Sequence, residues 1–238
     1  MKRLLLWLTI ALTTFTLGIG AVVIYFNRSE RPNLSPPTGK NGKPILTVAS
    51  CFPGLSIKVE NIESSSYFPP GVFSSQPEQE QYIANWYSKP LKVMNESALF
   101  SLAKTQSESY RFLWFRSFNS PVAVHIWRSG DERFITLKQL SDTGGRGFGR
   151  LITDKTRSLT ESEWDKFIAL LEQTCYWKMP TEDNKGGGLD GARWILEGYK
   201  EGRYHVVDRW SPKEGDFREA CLYLLKASGI DLSSEEVY

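Results

Sequence analysis

The chain has few residues of the kinds that bind metals or act as nucleophiles. Only two histidines and three cysteines occur among 238 residues, and no C-x-x-C pair is present. Because a zinc site needs three or four such donors, we predict neither a metal nor any other cofactor. The motifs G-x-S-x-G and H-E-x-x-H and the Walker loop are absent as well. The sequence therefore shows none of the common signatures of hydrolases or nucleotide-binding enzymes.

An excess of charge of either sign is also missing. The 29 Lys and Arg residues nearly balance the 27 Asp and Glu residues, which leaves a net charge of +2. A nucleic-acid-binding domain typically has a basic face or arm, so we expect no nucleic acid among the partners. Aromatic residues, in contrast, make up 13% of the chain and include eight tryptophans. Such rings pack sheets against helices, and they also line binding grooves.

Charge is absent from one long segment at the N-terminus. Lys2 and Arg3 precede an uncharged apolar run over residues 4–26, and the next charged residue is Arg28. At about 1.5 Å per residue, a helix of this length reaches about 34 Å, enough to cross a bilayer core of about 30 Å. We therefore predict a transmembrane signal anchor over residues 1–26, with the lipid bilayer as its partner.

Two alternatives to an anchor remain open. A cleaved signal peptide has an apolar stretch of about 7–15 residues before a small-residue cleavage site, and Gly18-Ile19-Gly20 would serve as that site. The third possibility is a buried core helix. Two basic residues stand close to each end of the run, so the positive-inside rule does not fix the orientation. Because a short basic tail usually stays in the cytoplasm, we expect residues 27–238 to be extracytoplasmic, in a periplasm or on a cell surface.

The remainder of the chain divides into a linker and one domain. Residues 27–44 hold four prolines and two glycines among polar residues. This composition predicts an extended linker without a core of its own. Residues 45–238 then form a single globular domain, whose core covers about residues 80–230.

Helical and strand patterns alternate along this domain. A first helix begins at Pro77 and ends at Pro90. A second has the capping box Thr160–Glu163 followed by apolar residues at helical spacing. Short turns between apolar segments predict antiparallel hairpins. We therefore predict an α+β fold, a mainly antiparallel sheet with helices packed on one face, preceded by one transmembrane helix. The predicted strands are 110–118, 122–128, 133–140, 150–155, 192–199 and 203–210, and further helices cover 96–104 and 217–227.

The three cysteines allow one disulfide in an oxidising compartment. In the predicted helices, Cys175 lies on the apolar face with Phe167, and Cys221 lies on a face with Phe217. Because both side chains point inward, a Cys175–Cys221 bridge is possible. Two separate buried thiols fit the pattern equally well.

The last predicted hairpin contains the only arrangement that suggests catalysis. If its turn has three residues centred on Glu201, Glu197 lies opposite His205, and Arg193 lies opposite Arg209. A carboxylate beside an imidazole raises the pKa of the imidazole and can support proton transfer, as in a hydrolase. The alternative is a structural charge pair across the sheet. Glu197 and His205 are thus the candidate catalytic residues.

Five further side chains are candidates for ligand binding, and three of them belong to the last predicted hairpin. His125 lies on the second predicted strand and is expected near Trp114. A single imidazole among aromatic residues is more often structural than a ligand. The candidate binding residues are Arg193, Arg209, Trp210, Trp114 and His125.

Four segments of the sequence resemble a family of bacterial proteins of unknown function. The segments carry the motifs W-Y-S-K, Y-R-F-L-W, L-D-G-A-R-W-I-L-E-G and Y-H-V-V-D-R-W-S-P, which begin at residues 86, 110, 189 and 204. The similarity spans about residues 80–230. It implies a bacterial origin and a single domain, and it assigns no catalytic residue.

The predicted anchor, the linker, the aromatic surplus and the missing catalytic motifs together favour one function. We expect a membrane-anchored extracytoplasmic domain that binds a protein or an envelope component without catalysis. A hydrolase that uses Glu197 and His205 is the alternative.

Overall fold

The structure, a computed structural model, describes residues 51–59, 66–141, 147–183, 188, 190–232 and 237–238. The predicted anchor, residues 1–26, and the predicted linker, residues 27–44, lie outside this part of the chain. None of the helices in the described part combines the length and the hydrophobicity that a membrane crossing needs.

Seven strands form one sheet in which every neighbouring pair is antiparallel. Their order across the sheet is β1-β7-β6-β2-β3-β4-β5. The hairpins that the short turns predict are present, and the α+β prediction with a mainly antiparallel sheet is confirmed. The strands are β1 Ile57–Lys58, β2 Glu108–Arg116, β3 Val122–Ser129, β4 Glu132–Leu140, β5 Leu151–Ser158, β6 Ala192–Lys200 and β7 Arg203–Trp210.

The described residues also include three α-helices and two short 3-10 helices. The predicted capping box is present, because the hydroxyl of Thr160 accepts a bond from the Glu163 N–H and the Glu163 carboxylate accepts one from the Thr160 N–H. The helices are α1 Pro77–Val93, α2 Glu161–Thr174 and α3 Asp216–Ser228, and the 3-10 helices are Leu99–Lys104 and Tyr176–Lys178.

Helices cover both faces of the sheet, so the prediction that they pack on one face is wrong. Helices α2 and α3 pack on the face that carries Phe112, Trp194 and Val207, which we call the α2–α3 face. Helix α1 and the 3-10 helix that follows it pack on the opposite, α1 face. The reason is visible in β2, where eight of nine residues are buried. A strand buried on both sides needs a covering layer on each side.

Helix α1 does not end at Pro90, as the sequence suggested. It continues to Val93, with Pro90 buried in its last turn. Proline removes one helical hydrogen bond there. The helix nevertheless continues, with Pro90 and Leu91 buried in the core of the α1 face.

The disulfide joins Cys51 to Cys175 and not Cys175 to Cys221. Cys175 is the residue that ends α2, and its left-handed backbone, with φ of 52°, places it outside the regular helix. Its sulfur therefore meets the segment at residues 51–59. Cys221 is a buried free thiol inside α3.

Candidate functional site

The β6–β7 hairpin has a different register from the one that the sequence suggested. Its turn consists of two residues, Glu201 and Gly202, both with positive φ, as in the two-residue turns that suit antiparallel strands. Glu197 consequently lies opposite Val206, and His205 lies opposite Gly198. A slip of one residue moves a side chain to the other face. Glu197 and His205 therefore project to opposite faces of the sheet, and the predicted pair is not formed.

His205 lies on the α2–α3 face among aromatic rings. Its ring centroid is 5.1 Å from that of Tyr176 and 6.0 Å from that of Trp177. Burial lowers the pKa of His205 from 6.5 to about 4. A neutral imidazole packed between rings fits a structural role.

The two buried histidines predict that the protein loses stability in mild acid. The pKa of His125 is also lowered to about 4 by burial. The folded protein therefore binds fewer protons than the unfolded chain, and stability present above about pH 6.5 is lost as the pH falls toward 4. Each histidine contributes roughly 3 kcal/mol at most. Asp208 acts in the opposite sense, because burial raises its pKa to about 6.

Urea unfolding at about pH 7 and about pH 4.5 measures this effect. In His205→Gln, we expect the loss of unfolding free energy between these pH values to be smaller than in the unsubstituted protein by roughly 2 kcal/mol. An equal loss in both proteins would contradict the assignment.

Glu197 is fully buried on the α1 face, in an ion pair with Arg111. The Arg111 Nε and Nη2 atoms donate to the two carboxylate oxygens at 2.8 and 3.0 Å, and the Tyr204 hydroxyl donates to Oε2 at 2.8 Å. Burial raises the pKa of Glu197. Because both of its oxygens accept bonds, we assign the group as a carboxylate that Arg111 holds in its charged form.

This pair belongs to a polar row that crosses five strands at right angles. Arg111 lies opposite Glu197 on one side and opposite His125 on the other. His125 lies opposite Thr136, and Thr136 lies opposite Thr156. We call these five residues the polar row. His125 is thus on the α1 face and Trp114 on the other, so the expectation that they are neighbours is wrong.

Glu96, in the segment before the first 3-10 helix, covers the middle of the polar row. Its carboxylate lies 3.1 Å from Arg111 Nη1, 3.0 Å from Lys138 Nζ and 3.9 Å from His125 Nδ1. Burial alone would raise the pKa of Glu96, but the positive charges of Arg111 and Lys138 oppose it, and the pKa is lowered. Arg111 therefore sits between two carboxylates, which fixes its charge.

The sequence pattern did not single out Arg111, Glu96 or Lys138. The available signal was Arg111 and Glu197 standing inside otherwise apolar strands, where a charge requires a partner. The Arg111 side chain has no exposed surface, and neither has that of Glu197. The pair is therefore out of reach of a substrate, and its role is to hold the sheet and the covering segment together.

An aromatic cleft lies on the α1 side, at the end of the sheet where β2 and β7 end and β3 and β6 begin. Its volume is about 310 Å³. Trp86, Phe115 and Phe148 pack on one another with ring centroids 5.6–5.8 Å apart. Trp86 and Phe118 remain 41% and 64% exposed. We call this the aromatic cleft; its rings are Trp86, Phe115, Phe118, Phe148 and Trp210.

Arg193 supplies positive charge to the aromatic cleft. Its Nη1 atom is 3.4 Å from Asp208 Oδ2, and its guanidinium lies 5.3 Å from the centroid of the Trp210 ring. The Tyr87 hydroxyl donates to the same Asp208 oxygen at 2.6 Å. Because the bond to Asp208 is long and the Arg193 side chain is 29% exposed, the guanidinium has capacity for a further anionic partner.

Only two of the five candidate binding residues, Arg193 and Trp210, line the aromatic cleft. Arg209 donates to the carbonyl oxygens of Thr181 and Pro180 on the α2–α3 side. Trp114 is buried against Trp194. The remaining cleft rings lie far apart in sequence, so no local pattern indicates that they meet.

No family model matches the chain, and no curated protein or solved structure does either. Among the residues that the structure describes, no group of three or more His, Cys, Asp and Glu side chains is arranged to hold a metal ion. The function is therefore inferred from the geometry of the chain itself.

Proposed function

We propose that this protein is a single-pass, membrane-anchored extracytoplasmic domain that acts by binding, without catalysis. The aromatic cleft is the ligand site, and the partner is an envelope component. The observation that carries the proposal is a cleft lined by five rings, of which Trp86 and Phe118 are exposed, beside the partly exposed Arg193. A concave site lined by aromatic side chains with a few polar groups is typical of ligand-binding sites.

Two features support the extracytoplasmic placement. The uncharged run over residues 4–26 is long enough for a membrane anchor. The Cys51–Cys175 disulfide belongs to an oxidising compartment, because thiols in the cytosol are normally kept reduced. The proline-rich residues 27–44 would hold the domain away from the bilayer surface.

The charge of the aromatic cleft indicates the chemistry of its ligand. Two arginines, Arg116 and Arg193, line it, and the described lining residues include no Asp or Glu. Arg116 is bound to the Ser120 carbonyl oxygen at 2.7 Å, which leaves Arg193 as the better placed group for a ligand. An envelope component that carries a carboxylate next to an apolar or ring-shaped group complements this lining.

The hydrolase alternative loses its geometric basis. It required Glu197 and His205 to meet, and they lie on opposite faces of the sheet. Glu197 is also fully occupied by Arg111 and Tyr204. No other observation in the described residues favours hydrolysis.

Arg193→Gln is expected to weaken binding of a carboxylate-bearing envelope polymer by about tenfold or more, since a charge-assisted hydrogen bond contributes about 1.5–3 kcal/mol. Trp86→Ala should cause a loss of similar size because it removes a wall of the aromatic cleft. The probe is purified cell-wall peptidoglycan, cosedimented with the full chain in detergent.

Two controls make this test specific. Arg128→Gln removes an arginine that lies outside the aromatic cleft and whose side chain is 41% exposed, and it should leave binding unchanged. Peptidoglycan whose carboxylates have been amidated should bind the unsubstituted protein as weakly as normal peptidoglycan binds Arg193→Gln. Equal binding of both polymers, or no binding by the unsubstituted protein, would contradict the proposal.

A further inference from the structure

The outer end of the polar row opens into a second, polar cleft of about 210 Å³. It shares no lining residue with the aromatic cleft. Strands β3, β4 and β5 form its floor, and the segment from residue 95 to residue 106 forms one side. We call it the polar cleft; its principal side chains are Gln106, His125, Trp127, Thr136, Asp154 and Thr156.

Two buried polar atoms in the polar cleft have no hydrogen-bond partner among the described residues. They are His125 Nε2 and Gln106 Oε1. His125 itself is only 6% exposed. Buried polar groups in folded proteins are almost always hydrogen-bonded, to protein or to ordered water, so a molecule that enters the polar cleft can supply the partners of both atoms.

The protonation state of His125 determines which hydrogen-bonding groups that molecule must have. Burial lowers the pKa of His125 to about 4, and although Glu96 opposes this effect, Arg111 and Lys138 add to it. The imidazole is therefore neutral at physiological pH. Its Nδ1 atom faces the Glu96 carboxylate at 3.9 Å, which favours the proton on Nδ1 and leaves Nε2 as an acceptor. Both unpartnered atoms, His125 Nε2 and Gln106 Oε1, then require hydrogen-bond donors.

The charges around the polar cleft argue against a charged ligand. Lys138 Nζ lies 3.0 Å from Glu96 Oε1 and 4.0 Å from Asp154 Oδ2. The carboxylates are thus already paired with a cation of the protein, and the unpartnered acceptors do not suit an anion. Neutral donors such as hydroxyl groups remain.

We propose that the polar cleft binds a small, neutral molecule with several hydroxyl groups, of the size of one sugar ring. One hydroxyl donates to His125 Nε2 and another to Gln106 Oε1. The side chains of Thr136 and Thr156, which share a hydrogen bond of 2.7 Å, supply further donors and acceptors. Trp127, whose ring packs on those of His125 and Phe134 at centroid distances of 4.8 and 5.3 Å, adds apolar surface at the side of the polar cleft.

The test measures binding of single sugars to the full chain by isothermal titration calorimetry. The probes are glucose, galactose, mannose and N-acetylglucosamine, with methylammonium and acetate as charged probes. We expect at least one sugar to bind and neither ion to do so. His125→Phe and Gln106→Met should each weaken that binding by about tenfold or more, because each removes a required acceptor. Gln173→Met replaces an exposed glutamine outside the polar cleft and should have no effect.

Each remaining outcome overturns the proposal. It is wrong if no sugar binds, if an ion binds as tightly as the sugars, or if neither variant changes the affinity. If His125→Phe does not fold, Gln106→Met still tests the proposal. Because the two clefts share no residue, Arg193→Gln should leave sugar binding unchanged, so failure of one proposal is distinguishable from failure of the other.

Discussion

Arg111→Met is expected to lower the free energy of unfolding by about 3–5 kcal/mol, because it leaves the buried Glu197 carboxylate without a cation and leaves Glu96 with Lys138 alone. Arg111 and Glu197 have no exposed surface, and Glu96 is 5% exposed. The lost bonds are the paired contacts to Glu197, the contact to Glu96 and the bond to the Ser97 carbonyl oxygen at 2.6 Å. Urea unfolding followed by tryptophan fluorescence measures the change.

A matched control, Arg157→Met, removes an ion pair that is exposed, so it shows how much of the effect depends on burial. Arg157 contacts Glu163 at 2.7 Å, but its side chain is 45% exposed. Surface pairs contribute about 0–1 kcal/mol, so Arg157→Met should have a much smaller effect. The double substitution Arg111→Met with Glu197→Met should recover part of the loss, because it removes the carboxylate that Arg111→Met leaves without a cation. Equal effects of Arg111→Met and Arg157→Met would show that the buried network adds no stability.

The sequence pattern was sufficient to predict the helices and strands, but not which faces of the sheet the helices cover. Short turns and a capping box are local signals, so the hairpins and helix α2 could be predicted from neighbouring residues. Whether a strand is covered on one side or both depends on distant segments. The uninterrupted apolar run at residues 112–115 was the available sign that β2 is buried on both faces.

The candidate site depended on a single turn, which explains why its prediction failed. Glu201 adopts a positive φ of 50° beside Gly202, a conformation that Asn or Gly adopts more readily than Glu. The sequence Lys200-Glu201-Gly202 therefore did not indicate a two-residue turn, and the assumed three-residue turn placed Glu197 opposite the wrong residue. The actual partners of Glu197 are Arg111 and Tyr204. Arg111 lies on β2, so no pattern within the hairpin indicates this contact.

Replacing both Cys51 and Cys175 by serine is expected to lower the free energy of unfolding by about 5 kcal/mol. The bridge joins residues 124 positions apart, and the loss of loop-closure entropy in the unfolded chain is worth about 5 kcal/mol for a loop of that length. The bridge also holds the segment at residues 51–59 against the second 3-10 helix, where the Leu55 N–H donates to the Trp177 carbonyl oxygen at 2.6 Å. Chemical unfolding without reductant measures the difference.

Cys221→Ala is the control for the double substitution. The reactivity of the three cysteines also tests in which compartment the domain resides. Cys221 is a buried free thiol, so Cys221→Ala leaves the disulfide intact and should cost far less stability. Cells are treated with an alkylating agent before extraction, and the protein is then unfolded without reductant in the presence of that agent. Only Cys221 should be modified, since the other two sulfurs are bonded to each other. Modification of all three cysteines would mean that the domain resides in a reducing compartment, and it would contradict both the disulfide and the extracytoplasmic proposal.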